Sequence, residues 1–261
     1  MFDSHIHTPL CHHATGAPLE YALEAVHVGL RGICFTEHMP LPNDRDSQVR
    51  LTKNSLLAYR DMIKGTQLLC NNDLEVRCGL EMDFIPGIEA FSRDLLTNFE
   101  WDYIIGSVHR VGEMAYGSPP DQKDLTSYWK NYYQLVIAAA QSGLYDSIGH
   151  LDLPRRWTVA PDRHLEMVQP ALDAISQHGL ALDFNTSGLR GQLGAPHPPL
   201  EFLRQASRRN IPLVLGSDAH SPDAVGSHFE SALCLAREAG YSQVVSFHKR
   251  VSEPYSIINM V

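Results

Sequence analysis

Positive charge is scarce in this sequence, and it is scattered along the chain. Lys and Arg together number 21 against 30 Asp and Glu, which gives a formal net charge of -9 with His counted neutral. Because a polynucleotide backbone is held by clustered cations, we expect no nucleic-acid partner. An acidic chain still binds an anionic phosphate where metal ions reverse the sign of the local field. The acidic balance therefore directs the search towards groups that ligate metal ions.

Long apolar runs are also missing. No stretch approaches the roughly 20 apolar residues of a membrane span, so we expect no membrane partner. Met1 to His5 lack the basic stretch and apolar core of a secretory signal, and we therefore expect a cytoplasmic protein. The five cysteines include no close pair spaced for zinc, which predicts reduced thiols. Apolar neighbours predict that Cys34 and Cys234 are buried.

Short apolar runs that alternate with amphipathic segments predict the fold class. The apolar runs, which are typical of buried parallel strands, cover residues 32–36, 75–80, 103–106, 147–149, 180–184 and 212–215. The helical patterns cover residues 19–28, 54–69, 128–142, 165–178 and 199–209. This alternation predicts an α/β barrel that is closed or nearly closed. The length of 261 residues, 44% of them hydrophobic, predicts one domain over residues 1–261.

Metal-binding side chains follow most of the predicted strands. His5 and His7 lie two apart, which on a strand directs both imidazoles to one side. Asp218 and His220 repeat this spacing near the other end of the chain, and Glu81 carries two oxygens that can serve two cations. Three more histidines fall at strand ends: His38, His109 and His150. Because the carboxyl ends of barrel strands meet at one face, these positions predict a metal centre there, and such ligands accommodate zinc, iron and manganese alike.

Six short segments together resemble the PHP phosphoesterases over nearly the whole chain. They are His5–His7, Thr36–His38, Gly79–Glu81, Gly106–His109, Gly149–Asp152 and Ser217–His220. Residues 5–9, 36–42 and 185–190 are similar in particular to the histidinol-phosphatase branch of that superfamily. The resemblance implies a distorted (β/α)7 TIM-like barrel with a trinuclear metal centre.

The resemblance also implies which residues hold each of the three divalent ions. His5, His7, Glu81 and Asp218 would hold the first ion, and His13, His38 and His220 the second. Glu81, His109 and His150 would hold the third, so that Glu81 bridges two ions. The spacing in the family selects His13, and the adjacent His12 is the alternative.

The reaction implied by the resemblance is hydrolysis of L-histidinol phosphate in histidine biosynthesis. Water between two cations roughly 3.5 to 4 Å apart would ionise and attack phosphorus in line with the leaving alkoxide. Arg190 and either Arg155 or Arg156 would bind the phosphoryl oxygens through their planar guanidinium groups. Asp218, His220 and a metal-bound water remain open as the general acid.

Other polar residues near these segments have expected supporting roles. Asp152 and Asp183 would orient ligating histidines, which metal-binding imidazoles commonly require. Glu113 is a candidate for recognition of the imidazole and amine of histidinol. The sequence leaves the oligomeric state open.

Three alternatives stay open at this stage. The enzyme could act on another small phosphate ester or a nucleotide, although the absence of a basic tract disfavours polymers. A metal-dependent amidohydrolase also begins with a His-x-His pair in a barrel, but it would not need the phosphate-binding arginines. A protein that binds metal without catalysis is the third alternative. The filled ligand positions and residues 185–190 favour the phosphatase.

Overall fold

One nine-stranded sheet organises the molecule. The computed structural model describes residues 1–70, 73–112, 124–161 and 163–258, and Glu113 lies outside these ranges. In the described ranges the strands follow each other through the sheet in chain order, β1 to β9. Their bounds are β1 Phe2–Ile6, β2 Gly32–His38, β3 Glu75–Asp83, β4 Tyr103–Ser107, β5 Ser147–Ile148, β6 Ala181–Asn185, β7 Leu213–Gly216, β8 Gln243–His248 and β9 Val251–Ser256.

Seven α-helices in the described part of the chain connect the strands. They are α1 Pro18–His27, α2 Leu56–Cys70, α3 Glu89–Thr97, α4 Leu125–Gln141, α5 His164–Gln177, α6 Leu200–Arg208 and α7 Phe229–Glu238. Local signals define several of their ends. Pro18 occupies the first position of α1, where its missing N–H costs nothing. Asp124 caps α4 by accepting a hydrogen bond from the Ser127 N–H.

The first seven strands close into a barrel. Neighbours from β1 to β8 run parallel, and β8 and β9 form an antiparallel hairpin. Closure joins β1 to the end of β7, where the His7 N–H donates to the Ala219 carbonyl (2.9 Å) and the Asp218 N–H donates to the His5 carbonyl (2.7 Å). The predicted α/β barrel is therefore confirmed.

Close approach at this seam depends on Gly216. A Cβ atom there would lie 2.6 Å from both Asp183 Oδ1 and His5 Cβ, a distance that real Cβ atoms do not tolerate. The missing side chain lets the end of β7 approach β1 and β6 directly. Gly216 therefore allows β1 and β7, the first and last strands of the barrel, to pack closely.

The apolar core has two parts. The larger part lies between the barrel and its helices, which bury one face each. The smaller part contains no helix residue and is built by side chains of β2, β4, β6, β7 and β8: Cys34, Tyr103, Ile105, Ala181, Val214, Val245 and Phe247. The two clusters alternate along β7, where Leu213 and Leu215 face the helices and Val214 faces inward.

The sequence predicted six strands and five helices whose observed ends differ by at most a few residues. It did not predict α3, α7, β8 or β9. The prediction that Cys234 is buried is wrong, because its side chain lies on the exposed face of α7 beside Arg237. Cys34 is buried as predicted. In the described ranges, no helix is long and apolar enough to cross a membrane.

Candidate metal centre

The nine predicted metal ligands meet at the carboxyl ends of the strands. Seven of them line a cavity of about 510 Å³: His13, His38, Glu81, His109, His150, Asp218 and His220. His5 and His7 lie just beneath it and are fully buried. The barrel brings together residues from position 5 to position 220 because successive parallel strands end at the same face.

Glu81 is at the centre of this group. Five imidazole nitrogens surround its two oxygens, with His38 Nδ1 (2.8 Å), His5 Nε2 (3.6 Å) and His7 Nε2 (3.6 Å) near Oε2, and His150 Nε2 (3.0 Å) and His109 Nε2 (3.2 Å) near Oε1. The two oxygens thus face different sets of histidines. A carboxylate in this arrangement can bridge two cations.

A second layer of carboxylates orients three of these imidazoles. Each of the three Nδ1 atoms lies near a different carboxylate. The distances are 3.0 Å from His5 to Asp183, 3.2 Å from His7 to Glu37 and 2.8 Å from His109 to Asp83. A carboxylate at Nδ1 fixes the proton there and leaves the Nε2 lone pair directed into the centre, as metal-ligating histidines require. The described part of the chain offers no hydrogen bond to the buried Nε2 atom of His5.

The buried charges affect the candidate ligands differently. Burial opposes the shift, but the adjacent carboxylates raise the pKa of His7 and of His109 to about 9, so a cation that binds these imidazoles displaces a proton. Burial would raise the pKa of Glu81, but His109, His38 and His5 lower it well below its usual value. Burial lowers the pKa of His38 to about 4, so this imidazole is neutral near pH 7. Ionised carboxylates and neutral imidazoles are the forms that donate lone pairs to a cation.

His13 and His220 provide a further test of whether metal fits. His13 Nδ1 lies 2.8 Å from the Cys11 carbonyl and His220 Nδ1 lies 3.0 Å from the Asp218 carbonyl, so both rings carry their proton at Nδ1. Their Nε2 atoms nevertheless lie 2.9 Å apart. Two facing lone pairs repel each other unless a cation accepts both.

Several sets of ligand atoms lie within 4.8 Å of one another, close enough to hold an ion. The sets include His5 with His7 and Glu81, His38 with Glu81 and His109, and His7 with His38 and His220. Cys11 forms one such set with His13 and His220 and another with His7 and Glu37, and no sequence pattern had indicated Cys11 as a ligand. The donor set therefore fits divalent metal ions.

Asp218 occupies a special backbone position. Its φ of 54° lies in the left-handed region, which few non-glycine residues adopt. Its Oδ1 atom lies 3.3 Å from His7 Nε2, and the nearby imidazoles lower its pKa well below the usual value although burial opposes them. The hydrogen bond from its N–H to His5 holds the residue in this conformation.

The three predicted phosphate-binding arginines are placed differently. Arg190 and Arg156 line the cavity, whereas Arg155 donates to Asp152 Oδ2 (2.7 Å) away from it. Arg190 donates to Ser227 Oγ (2.7 Å) and to the carbonyls of Ser217 (2.6 Å) and Asp218 (3.1 Å). Three of its five N–H donors are used in this way, which leaves two for a ligand.

The expected supporting residues were identified only in part. Asp183 contacts His5 as predicted, but Asp152 contacts His197 (2.8 Å) instead of a candidate ligand, so that prediction is wrong. Glu37 and Asp83 were missed. A signal for Asp83 was available, because it lies two residues after Glu81 on β3 and therefore faces the same side.

Comparison with known proteins assigns the family. The model of the PHP domain matches residues 3–187. The chain belongs to the PHP domain family. The match begins in β1 of this PHP domain and includes every strand up to β6.

Two named relatives match this chain over most of its length. It is 45% identical over 258 residues to a probable histidinol-phosphatase of Deinococcus radiodurans, covering 97% of this chain and 98% of that relative. It is 33% identical over 265 residues to the histidinol-phosphatase of Bacillus subtilis, covering 88% of this chain and 97% of that relative.

A solved structure shares the fold. Histidinol phosphate phosphatase from Lactococcus lactis, complexed with zinc, L-histidinol and phosphate, superposes with a TM-score of 0.80 and 21% sequence identity. The match covers 97% of this chain and 98% of that one. At this identity the likeness supports the barrel fold.

Proposed function

We propose that this chain is a metal-dependent phosphomonoesterase that hydrolyses L-histidinol phosphate to L-histidinol and phosphate in histidine biosynthesis. The observation that carries the proposal is Glu81, a buried carboxylate surrounded by five imidazoles beneath a cavity bordered by two arginines. The names of the Deinococcus and Bacillus relatives support the substrate. We further propose that residues 1–261 form one catalytic domain that acts in the cytoplasm.

Three divalent ions are the proposed cofactor, with zinc, iron or manganese as candidates. We assign His5, His7, Glu81 and Asp218 to the first ion, His13, His38 and His220 to the second, and Glu81, His109 and His150 to the third. The set of His5, His7 and Glu81 within 4.8 Å supports the first ion, and the opposed Nε2 atoms of His13 and His220 support the second. For the third ion, Glu81 Oε1 lies 3.2 Å from His109 Nε2 and 3.0 Å from His150 Nε2. Imidazole and carboxylate ligands suit all three metals.

Bound ions would neutralise the phosphoryl charge and lower the pKa of water. Arg190 and Arg156 border the same cavity and would hold the phosphoryl oxygens through their unused N–H donors. Asp218 also lines this cavity, and its low pKa keeps it ionised. The proton released when water attacks phosphorus passes to the alkoxide as the bond between phosphorus and the leaving oxygen breaks, which balances the reaction. Asp218, His220 and a metal-bound water are the candidates to transfer it.

The first experiment is phosphate release from L-histidinol phosphate beside a panel of nucleotides and sugar phosphates. The protein is analysed for metal content beforehand, and Asp218→Asn serves as the inactive control. Selective hydrolysis of L-histidinol phosphate by metal-loaded protein supports the proposal. Activity only on other esters would retain the centre and replace the substrate, and metal-loaded protein without any phosphatase activity would contradict the enzyme class.

A further inference from the structure

A small side cavity adjoins the metal centre. It has a volume of about 210 Å³ and is bounded by Trp157 on one side and residues 187–193 on the other. Arg156, Trp157, Ser187 and Gly191 line both this cavity and the main one. None of the nine proposed metal ligands lines it, so the side cavity lies beside the centre and is joined to the main cavity by these four shared residues.

Two short segments after neighbouring strands build its walls. Trp157 ends the turn that follows His150, where its N–H donates to the Pro154 carbonyl (3.0 Å). The opposite wall is a tight loop after β6. A Cβ atom at Gly188 would lie 2.2 Å from the Ala195 carbonyl oxygen, so only glycine permits this fold of the loop. Both walls are held by the backbone without a ligand.

The walls combine an aromatic face with an unused polar atom. The indole of Trp157 is partly exposed to the cavity, and Leu193 adds apolar surface. The hydroxyl oxygen of Ser187 is buried and has no hydrogen-bond partner among the described residues. A buried hydroxyl without a partner is costly, and a ligand that hydrogen-bonds to it removes that cost.

The charges near the side cavity restrict what binds there. Arg156 lies with its guanidinium carbon 5.9 Å from the centre of the Trp157 ring, and Arg190 borders the adjoining main cavity. No acidic side chain lines the side cavity in the part of the chain that the structure describes. A cationic ring would meet two guanidinium groups, whereas a neutral planar ring would meet an aromatic face and a hydroxyl.

We propose that this side cavity binds the leaving group of the substrate as a small, neutral, nitrogen-containing aromatic ring. The ring stacks on Trp157, and a ring nitrogen hydrogen-bonds with Ser187 Oγ, while the phosphate stays at the metal centre between Arg190 and Arg156. This inference rests on the proposed phosphatase function and assigns the imidazole of L-histidinol phosphate to a defined place. Trp157 and Ser187 are then the residues that select the alcohol.

Substitution of Trp157 tests the proposal through substrate preference. Stacking of a ring on an aromatic side chain contributes enough that Trp157→Ala should raise KM for L-histidinol phosphate about tenfold. The kcat/KM for a phosphate ester without a ring, such as phosphoethanolamine, should stay unchanged, as should metal content. Trp157→Phe should restore most of the preference, and Ser187→Ala should lower it partly. Val159→Ala is the matched control, because Val159 belongs to the same segment but is 76% exposed.

Binding of L-histidinol separates this proposal from the function itself. Calorimetric titration of the metal-loaded protein with L-histidinol, in the presence of inorganic phosphate, should give weaker binding to Trp157→Ala than to Val159→Ala. Equal binding to both, or equal losses of kcat/KM on both esters, would overturn the side-cavity proposal while leaving the phosphatase intact. A wild-type protein that binds L-histidinol through Trp157 but releases no phosphate would instead contradict the proposed function.

Discussion

The Nε2 atoms of His13 and His220 lie 2.9 Å apart, although each ring donates its Nδ1 proton to a backbone carbonyl. The pair joins the loop after β1 to the loop after β7. In the absence of a cation the two lone pairs would repel each other, and with a cation they become two ligands. The local geometry of both loops is therefore linked to metal occupancy.

Removal of His220 should lower metal content. We expect His220→Ala to lose bound metal and to lose phosphatase activity at least about 100-fold, because a direct ligand contributes no less than its outer partners. Elemental analysis and phosphate release measure the two effects. His178→Ala, an exposed histidine at the end of α5, is the control and should match the wild type. Full metal content in His220→Ala would contradict the assignment.

Asp83 should support metal binding through His109 and the stability of the fold through Arg50. Its carboxylate contacts His109 Nδ1 (2.8 Å) and accepts from Arg50 Nη2 (3.1 Å), and all three groups are buried. Asp83→Asn removes the negative charge from a buried ion pair with Arg50, so we expect about 3 kcal/mol lower stability. Metal affinity should fall about 10 to 100-fold. Urea unfolding and metal titration test these values, with the exposed Asp61→Asn on α2 as control. Unchanged metal affinity would show that His109 is oriented by other contacts.

Of the three arginines predicted to bind phosphate, we expect Arg190 and Arg156 to do so and Arg155 to have a structural role. Arg190→Ala and Arg156→Ala should each weaken inhibition by inorganic phosphate about tenfold, because a hydrogen bond from a charged donor is lost. Arg155→Ala should leave that inhibition unchanged, since Arg155 pairs with Asp152 outside the cavity. Metal content should remain intact in all three variants. A large effect in Arg155→Ala alone would reverse the assignment.

Acid should destabilise the protein partly through His164. Its ring contacts Trp129 and Phe202 and hydrogen-bonds with the Tyr133 hydroxyl (2.6 Å), and burial lowers its pKa from 6.5 to about 4. Between these two pH values the unfolded chain binds a proton that the folded chain does not, so stability falls as pH decreases through this window. His164→Gln should remove that part of the pH dependence. Urea unfolding at pH 7 and pH 4.5 measures it, and parallel curves for both proteins would contradict the prediction.

Local sequence patterns predicted the barrel and eight of the nine residues proposed for the metal centre, whereas His13 was assigned only through the resemblance to the PHP phosphoesterases. Buried parallel strands are continuous apolar runs, and Glu81, His109 and Asp218 each lie within three residues of the end of one. The hairpin β8–β9 was missed because β9 is mostly exposed and carries Pro254, which weakens a strand signal. Which arginine enters the cavity was not predictable, since Arg155 and Arg156 are adjacent and a single turn decides their directions. The side cavity depends on contact between two loops about 30 residues apart, which no local pattern records.

The seam between β1 and β7 determines when the centre can form during synthesis. His5 and His7 leave the ribosome more than 200 residues before Asp218 and His220. Translation at about 5–20 residues per second separates these events by tens of seconds. A nascent chain therefore carries several unpaired histidines and Glu81 before the barrel can close around them. Metal loading is then a late event in the life of each molecule, and a chain that stops before residue 218 has strands β1 to β7 but only part of its centre.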